Sequence, residues 1–147
     1  MMPDRKSRKA LLAVVLVACN LLFIWGNSLL PASVSGALSQ WLRDLLGKAA
    51  GELAGQSDGI LRKIAHFAEF CTLGILLRWL FAMLKERKQA AVLLTVACGC
   101  SAACVDEMLQ HFAPGRGPRL TDVVIDSAGV MAGIMLFGLG YAIKKKK

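Results

Sequence analysis

Residues 10–30 read ALLAVVLVACNLLFIWGNSLL, 21 positions without a charge, broken in their apolar character only by Asn20, Gly26, Asn27 and Ser28. About 20 such residues carry an α-helix across the hydrocarbon layer of a bilayer, so this stretch has the length of a spanning helix. The basic residues before it and the small residues at 32–37 also fit a secretory signal. A signal core runs only about 7–15 residues, however, and the longer run favours a retained span.

Three more stretches of the same kind follow at about 60–84, 90–112 and 122–143. Ser57 and Asp58 are candidate caps for the first of these and Thr121 and Asp122 for the last, while Pro114, Gly115, Gly117 and Pro118 interrupt the chain between the last two. No strand-like alternation competes and no internal repeat is visible. Composition agrees. Hydrophobic residues make up 56% of the 147 positions and charged residues 19%, against about 45–50% and about 25% in soluble domains.

The net charge of +8 would suit nucleic acid only on a soluble basic face. Here the cations cluster at span ends: Arg5, Lys6, Arg8 and Lys9, then Lys85, Arg87 and Lys88, then Lys144 to Lys147. That is the pattern of the positive-inside rule, which places both termini and the 85–88 turn in the cytoplasm. The charge pattern thus excludes nucleic acid as a partner and points to a multi-pass protein of the bacterial cytoplasmic membrane. Trp25 and Phe112 fit an outer aromatic belt, Trp79 and Tyr141 an inner one, and Arg78 is placed to reach the inner interface.

Between the first two spans, Val34, Leu38, Trp41, Leu42, Leu45, Leu46 and Ala49 recur at helical spacing, with Gln40, Arg43, Asp44 and Lys48 between them. This predicts an amphipathic helix over 34–49, lying on the membrane surface or against the bundle. The fold class expected is therefore an all-α integral membrane protein. Residues 1–147 form a single domain, a four-helix transmembrane bundle with one amphipathic interfacial helix in its first extracytoplasmic loop.

Ionisable groups inside spans are costly and usually face the bundle interior. The second span carries Arg62, Lys63, His66 and Glu69, the third ends with Asp106, Glu107 and Gln110, and the fourth begins with Asp122 and Asp126. With the termini inside, all of them fall in the outer half. At 1.5 Å per residue, His66, Asp106 and Asp126 each lie roughly 6–9 Å below the outer helix ends. Arg62, His66 and Glu69 share one helix face, as do Asp106 with Gln110 and Asp122 with Asp126. Above them hangs a Pro/Gly loop with Arg116 and Arg119. Five acids and four bases at one level can nearly neutralise one another, as buried charges require.

The order of these residues resembles the VanZ-like family, membrane proteins named for a low-level teicoplanin-resistance protein. The matching stretches are 62–70 (RKIAHFAEF), 106–116 (DEMLQHFAPGR) and 122–126 (DVVID) with Gly129 and Gly133. They correspond to the family's Lys-x-x-His-Phe, Asp-Glu-x-x-Gln-x-Phe-x-Pro-x-Arg and Asp-x-x-x-Asp/Asn-x-x-Gly segments. Together they cover about 57–137. Asn27-Ser28 looks like the family's polar pair at the end of the first span, and Asp126 stands where many relatives carry Asn. The resemblance implies a link to glycopeptide resistance without change to the peptidoglycan precursor, hence a cell-envelope role with antibiotic resistance as one outcome. It implies no established biochemical activity.

Three readings of the polar set follow. As a binding site, Arg62, Lys63 and Arg116 offer donors to phosphate or carboxylate, with His66, Glu107, Gln110 and Asp122 beside them. The expected partner is a membrane lipid with an anionic headgroup or a lipid-linked peptidoglycan precursor. As an intramembrane enzyme modifying such a lipid, His66 and Glu69 would move protons with Asp106 and Asp126. One His among carboxylates also suits a hard or borderline cation, yet no recognised metal or nucleophile spacing is present, so no metal and no cofactor is assigned. As a structural or partner-binding device, the charges would only lock the helices together. Cys19, Cys71, Cys98, Cys100 and Cys104 read as small packing residues, Gly99, Gly129, Gly133, Gly138 and Gly140 as points of close helix approach, and His111 as a solvated boundary residue.

The orientation is testable by labelling single cysteines in intact cells. Position 55 is expected to react with an impermeant reagent from outside, and position 3 only after permeabilisation.

Overall fold

The computed structural model describes residues 4–35, 37, 58–84 and 87–145. They form four long helices, α1 (Arg5–Ser28), α2 (Asp58–Met83), α3 (Lys88–Gln110) and α4 (Leu120–Lys145), with no strand among the described residues. Each is long and apolar enough to cross a membrane. The expected all-α multi-span architecture is present, with helix ends within about a turn of those read from hydropathy. Two differences have local causes. α1 begins at Arg5 because Asp4 caps it, its carboxylate accepting the Ser7 backbone N–H at 2.6 Å. α4 begins at Leu120, so Thr121 and Asp122 lie in its first turn, where the Asp122 charge suits the positive end of the helix. Of the amphipathic helix expected over 34–49, positions 34 and 35 fall in a short helical turn and position 37 is helical. Positions 36 and 38–49 lie outside the described residues.

Short connections at 84–87 and 111–119 make α2, α3 and α4 successive antiparallel neighbours. The tightest seam joins α2 and α4, and glycine makes it. A Cβ on Gly129 would stand 2.5 Å from the Phe67 carbonyl oxygen, and one on Gly133 would collide with that of Cys71. On the other side of the seam, a Cβ on Gly74 would stand 2.5 Å from the Val130 carbonyl oxygen. Backbones therefore touch where a membrane bundle, lacking a water-driven hydrophobic effect between its helices, gains most from dispersion contacts. Val130 is fully buried and its side chain fills the space that Gly99 leaves on α3. Val17, Ile24, Phe70, Leu73, Leu77, Ala102 and Ala103 complete the core. Leu22, Phe23, Leu93, Met135 and Leu139 point outward, as the lipid-facing surface requires.

α1 packs mainly on α2 and only lightly on α3, leaving an apolar groove of ≈ 370 Å³ lined in part by Leu21, Trp25, Cys98 and Ser101. Trp25 is half-buried and donates its Nε1–H to the Ala102 carbonyl at 3.4 Å, so it ties helices together rather than standing free in a belt. Phe112 and Tyr141 are exposed as a belt demands. Arg78 departs from the sequence reading. It is buried, its guanidinium 5.4 Å from the centroid of the Phe137 ring on α4, and cation–π attraction holds it within the bundle.

Gly133→Ile is expected to separate α2 from α4 and destabilise the fold by about 1–3 kcal/mol or more. Gly138→Ala, where nothing lies within 4 Å, is expected to be neutral. Thermal unfolding followed by size-exclusion chromatography in detergent distinguishes them.

Candidate functional site

All four helices bring polar side chains to one end of the bundle, where α1 and α3 finish and α2 and α4 start. At its centre are His66 of α2, Asp106 of α3 and Asp126 of α4. His66 Nδ1 lies 3.6 Å from Asp106 Oδ2 and 3.9 Å from Asp126 Oδ1. Both aspartates are completely buried and the His66 side chain is 12% exposed. Gln110, one turn beyond Asp106, donates from Nε2 to Asp106 Oδ2 at 3.0 Å, so the i, i+4 relation in the sequence is a made hydrogen bond.

Around this centre the remaining acids are held separately. Glu69 Oε1 accepts the side-chain amide of Asn27 at 3.0 Å, joining α1 to α2. Glu107 Oε1 accepts the backbone N–H of Arg119, fixing the α3–α4 loop over the helix end. Asp122 is half-buried nearer the mouth, where its Oδ1 accepts the Thr121 hydroxyl at 3.2 Å.

The loop over this end is shaped by Gly115, whose φ of +77° lies in the left-handed region that glycine adopts without strain. The turn returns Arg116 over the bundle, where its Nη1 donates to the Ser28 carbonyl at 3.2 Å. A backbone bond from Ala32 N–H to the Pro114 carbonyl at 3.0 Å fastens the same loop to the chain just past α1. Burial, and then the like charge of Arg62, lower the Arg116 pKa from its ordinary value, while Asp106, Glu107 and Glu69 favour its charged form. Arg62 and Lys63 are half-buried one turn nearer the mouth than His66. The site therefore has a cationic rim and an anionic floor.

Several buried polar atoms have no hydrogen-bond partner among the described residues: Asp106 Oδ1, both oxygens of Asp126, Glu69 Oε2, Glu107 Oε2 and Arg116 Nε. Folded proteins leave few such groups, and each calls for a reason. Chemically, the arrangement offers an imidazole between two carboxylates and, above it, a guanidinium with an unused donor.

The residues singled out in the sequence divide accordingly. His66, Asp106 and Asp126 meet. Gln110 supports Asp106, and Glu69 and Arg116 close the sides and roof. Glu107 serves the loop, whereas Arg62, Lys63 and Asp122 stand at the rim. His111 is exposed, edge-on to Phe112 at 5.7 Å. Periodicity gave no sign of the α1 contribution. The partner for Glu69 and the carbonyl for Arg116 come from Asn27 and Ser28, and the available signal was an amide inside an apolar span, which must find a partner within the protein.

A family model described as VanZ/LLP1 matches residues 9–141. No curated protein and no solved structure matches.

The Asn27–Glu69 bond yields a paired test. Asn27→Ala leaves a half-buried carboxylate without its donor and is expected to cost about 1–3 kcal/mol. Glu69→Gln keeps an acceptor for Asn27 and removes a half-buried charge, so its thermal unfolding in detergent should stay near that of the wild type.

Proposed function

This chain belongs to the VanZ/LLP1 family, and from that premise we propose that its polar end is a binding site for an anionic lipid headgroup or lipid-linked cell-wall precursor. The observation that carries the reading is Arg116: a half-buried guanidinium, anchored through Nη1 to Ser28, whose Nε has no hydrogen-bond partner among the described residues. A planar cation held by one corner over an opening is suited to phosphate or carboxylate, which it binds with directed, charge-assisted bonds. Arg62 and Lys63 add charge at the rim, and Gln110, Glu107, Asp122 and His66 supply polar neighbours for the rest of a headgroup.

The basic flanks orient both termini to the cytoplasm of a bacterial cell, so the rim opens toward the outer leaflet, where wall precursors are consumed. An apolar groove of ≈ 380 Å³, lined by Met108, Phe112, Leu120 and Val123 and sharing Glu107 with the site, offers a lipid tail a place beside its head. Sequestering or presenting such a lipid would change envelope properties and with them susceptibility to glycopeptides such as teicoplanin.

One feature favours a second reading, an intramembrane enzyme acting on the same lipid. His66 has carboxylates 3.6 and 3.9 Å from Nδ1, groups that would orient it as a general base once drawn to hydrogen-bond distance.

Mass spectrometry of the protein purified in mild detergent separates the two. Binding predicts a stoichiometric anionic or polyprenyl lipid, recovered unchanged and bound tenfold or more weakly after Arg116→Ala or Lys63→Ala, since charge-assisted bonds contribute about 1.5–3 kcal/mol. Equal retention by both variants would refute the role given to the rim. Catalysis predicts turnover of that lipid, lost in His66→Ala with binding kept.

A further inference from the structure

The floor of the site has a separate chemistry. We propose that His66, Asp106 and Asp126 form a binding site for one borderline divalent cation of the zinc or manganese class. One ligand atom from each residue lies within 4.8 Å of those from the other two, and the two measured separations from His66 Nδ1 are 3.6 and 3.9 Å. Ligands about 2.1 Å from a common ion stand about 3.4 Å apart in the tetrahedral set zinc prefers, and roughly 3.0 Å apart when adjacent in an octahedral one. The three residues therefore need only a small inward movement to share an ion. They come from three different helices, two of them locked backbone to backbone along the α2–α4 seam, so the spacing is a property of the bundle and not of a loose loop.

The second observation is independent of the clustering. Asp126 is completely buried, its Oδ1 aimed at His66, and neither of its oxygens has a hydrogen-bond partner among the described residues. Asp106 is equally buried, and its Oδ1 has no partner in hydrogen-bond geometry among the described residues. Two carboxyl groups this close in a low-dielectric interior cannot both ionise without a large cost, because each charge repels the other and lacks the hydration it had in water. A divalent ion cancels their charge one for one and occupies the lone pairs that are otherwise unused.

The neighbouring acids have other duties, Glu69 with Asn27 and Glu107 with the Arg119 backbone, so the ligand set is one nitrogen and two carboxylates. That donor set suits zinc or manganese better than calcium or magnesium, which prefer oxygens only. Gln110, donating to Asp106, holds a ligating carboxylate in place in the manner of outer-shell partners at metal sites.

This inference does not need the headgroup reading, and its test uses no lipid. Protein carrying a non-histidine tag is stripped with chelator in detergent and titrated with ZnCl2, MnCl2 and MgCl2. Zinc or manganese is expected to bind at one ion per chain and to raise Tm by about 5 °C at a hundredfold excess over Kd, with magnesium ineffective. Asp126→Asn and His66→Gln should each lose at least tenfold in affinity together with the Tm shift, while Glu69→Gln should keep both. A wild-type protein that neither binds these ions nor shifts its Tm overturns the proposal without reference to any variant's folding. So does undiminished binding by Asp126→Asn or His66→Gln. Either result leaves the rim's anion binding standing, just as loss of lipid binding would leave the metal site standing.

Discussion

A carboxylate in hydrocarbon has no water to hydrate it, and the cost of that isolation organises this bundle. Glu69, Asp106, Glu107 and Asp126 all lie in segments that cross or enter the bilayer, so each must turn from lipid and find company within the protein. Since they occupy one level, the helices that carry them must meet at that level. α3 and α4 bring aspartates to the histidine of α2, and α1 supplies an amide to Glu69. The glycine seam then serves this end: Gly129 and Gly133 let α4 approach α2 closely enough for Asp126, one turn before Gly129, to reach His66.

The result is a vertical division of charge. Cations stand at the mouth and in the loop above, with Asp122 the one carboxylate beside them, the buried aspartates lie below, and the histidine is at the boundary between them. Arg116 spans the two zones. It is drawn down by the acids and repelled by Arg62, and its position is set by a backbone carbonyl. The anion binding proposed for the rim and the cation binding proposed for the floor would use opposite zones of this division. A phosphate-bearing molecule meeting both zones would find its charge matched on one side by guanidinium and on the other by whatever the floor holds.

Much of this was legible in the sequence. The four spans are evident from uncharged length alone, and the level of the polar groups follows from counting residues from the helix ends, because 1.5 Å per residue leaves little freedom once the ends are known. That His66, Asp106 and Asp126 face one another was implied by depth and helical phase together. The contributions of α1 were hidden. Asn27 and Ser28 stand out only through the family resemblance, and which carboxylate an amide meets, or which guanidinium a backbone carbonyl accepts, depends on the rotation of α1 about its axis, which an almost uniformly apolar helix does not encode. Arg78 was misread for a related reason. Its distance from the helix end suggested an escape to the interface, but the Phe137 ring that retains it belongs to another helix and no local pattern pairs the two.

The Ala32–Pro114 backbone bond and the Arg116–Ser28 bond join parts of the chain made far apart in time. In chain order, α1 and α2 together already contain both partners of the Asn27–Glu69 bond, but neither aspartate that faces His66 and no part of the roof. Asp106 and Gln110 emerge as a pair on α3, and only the arrival of the Pro/Gly loop and the first turns of α4 closes the assembly. The Ala32–Pro114 and Arg116–Ser28 bonds thus make the closed end a property of the whole chain: a chain truncated before residue 114 would carry His66 and Glu107 without the partners that α4 and the loop supply.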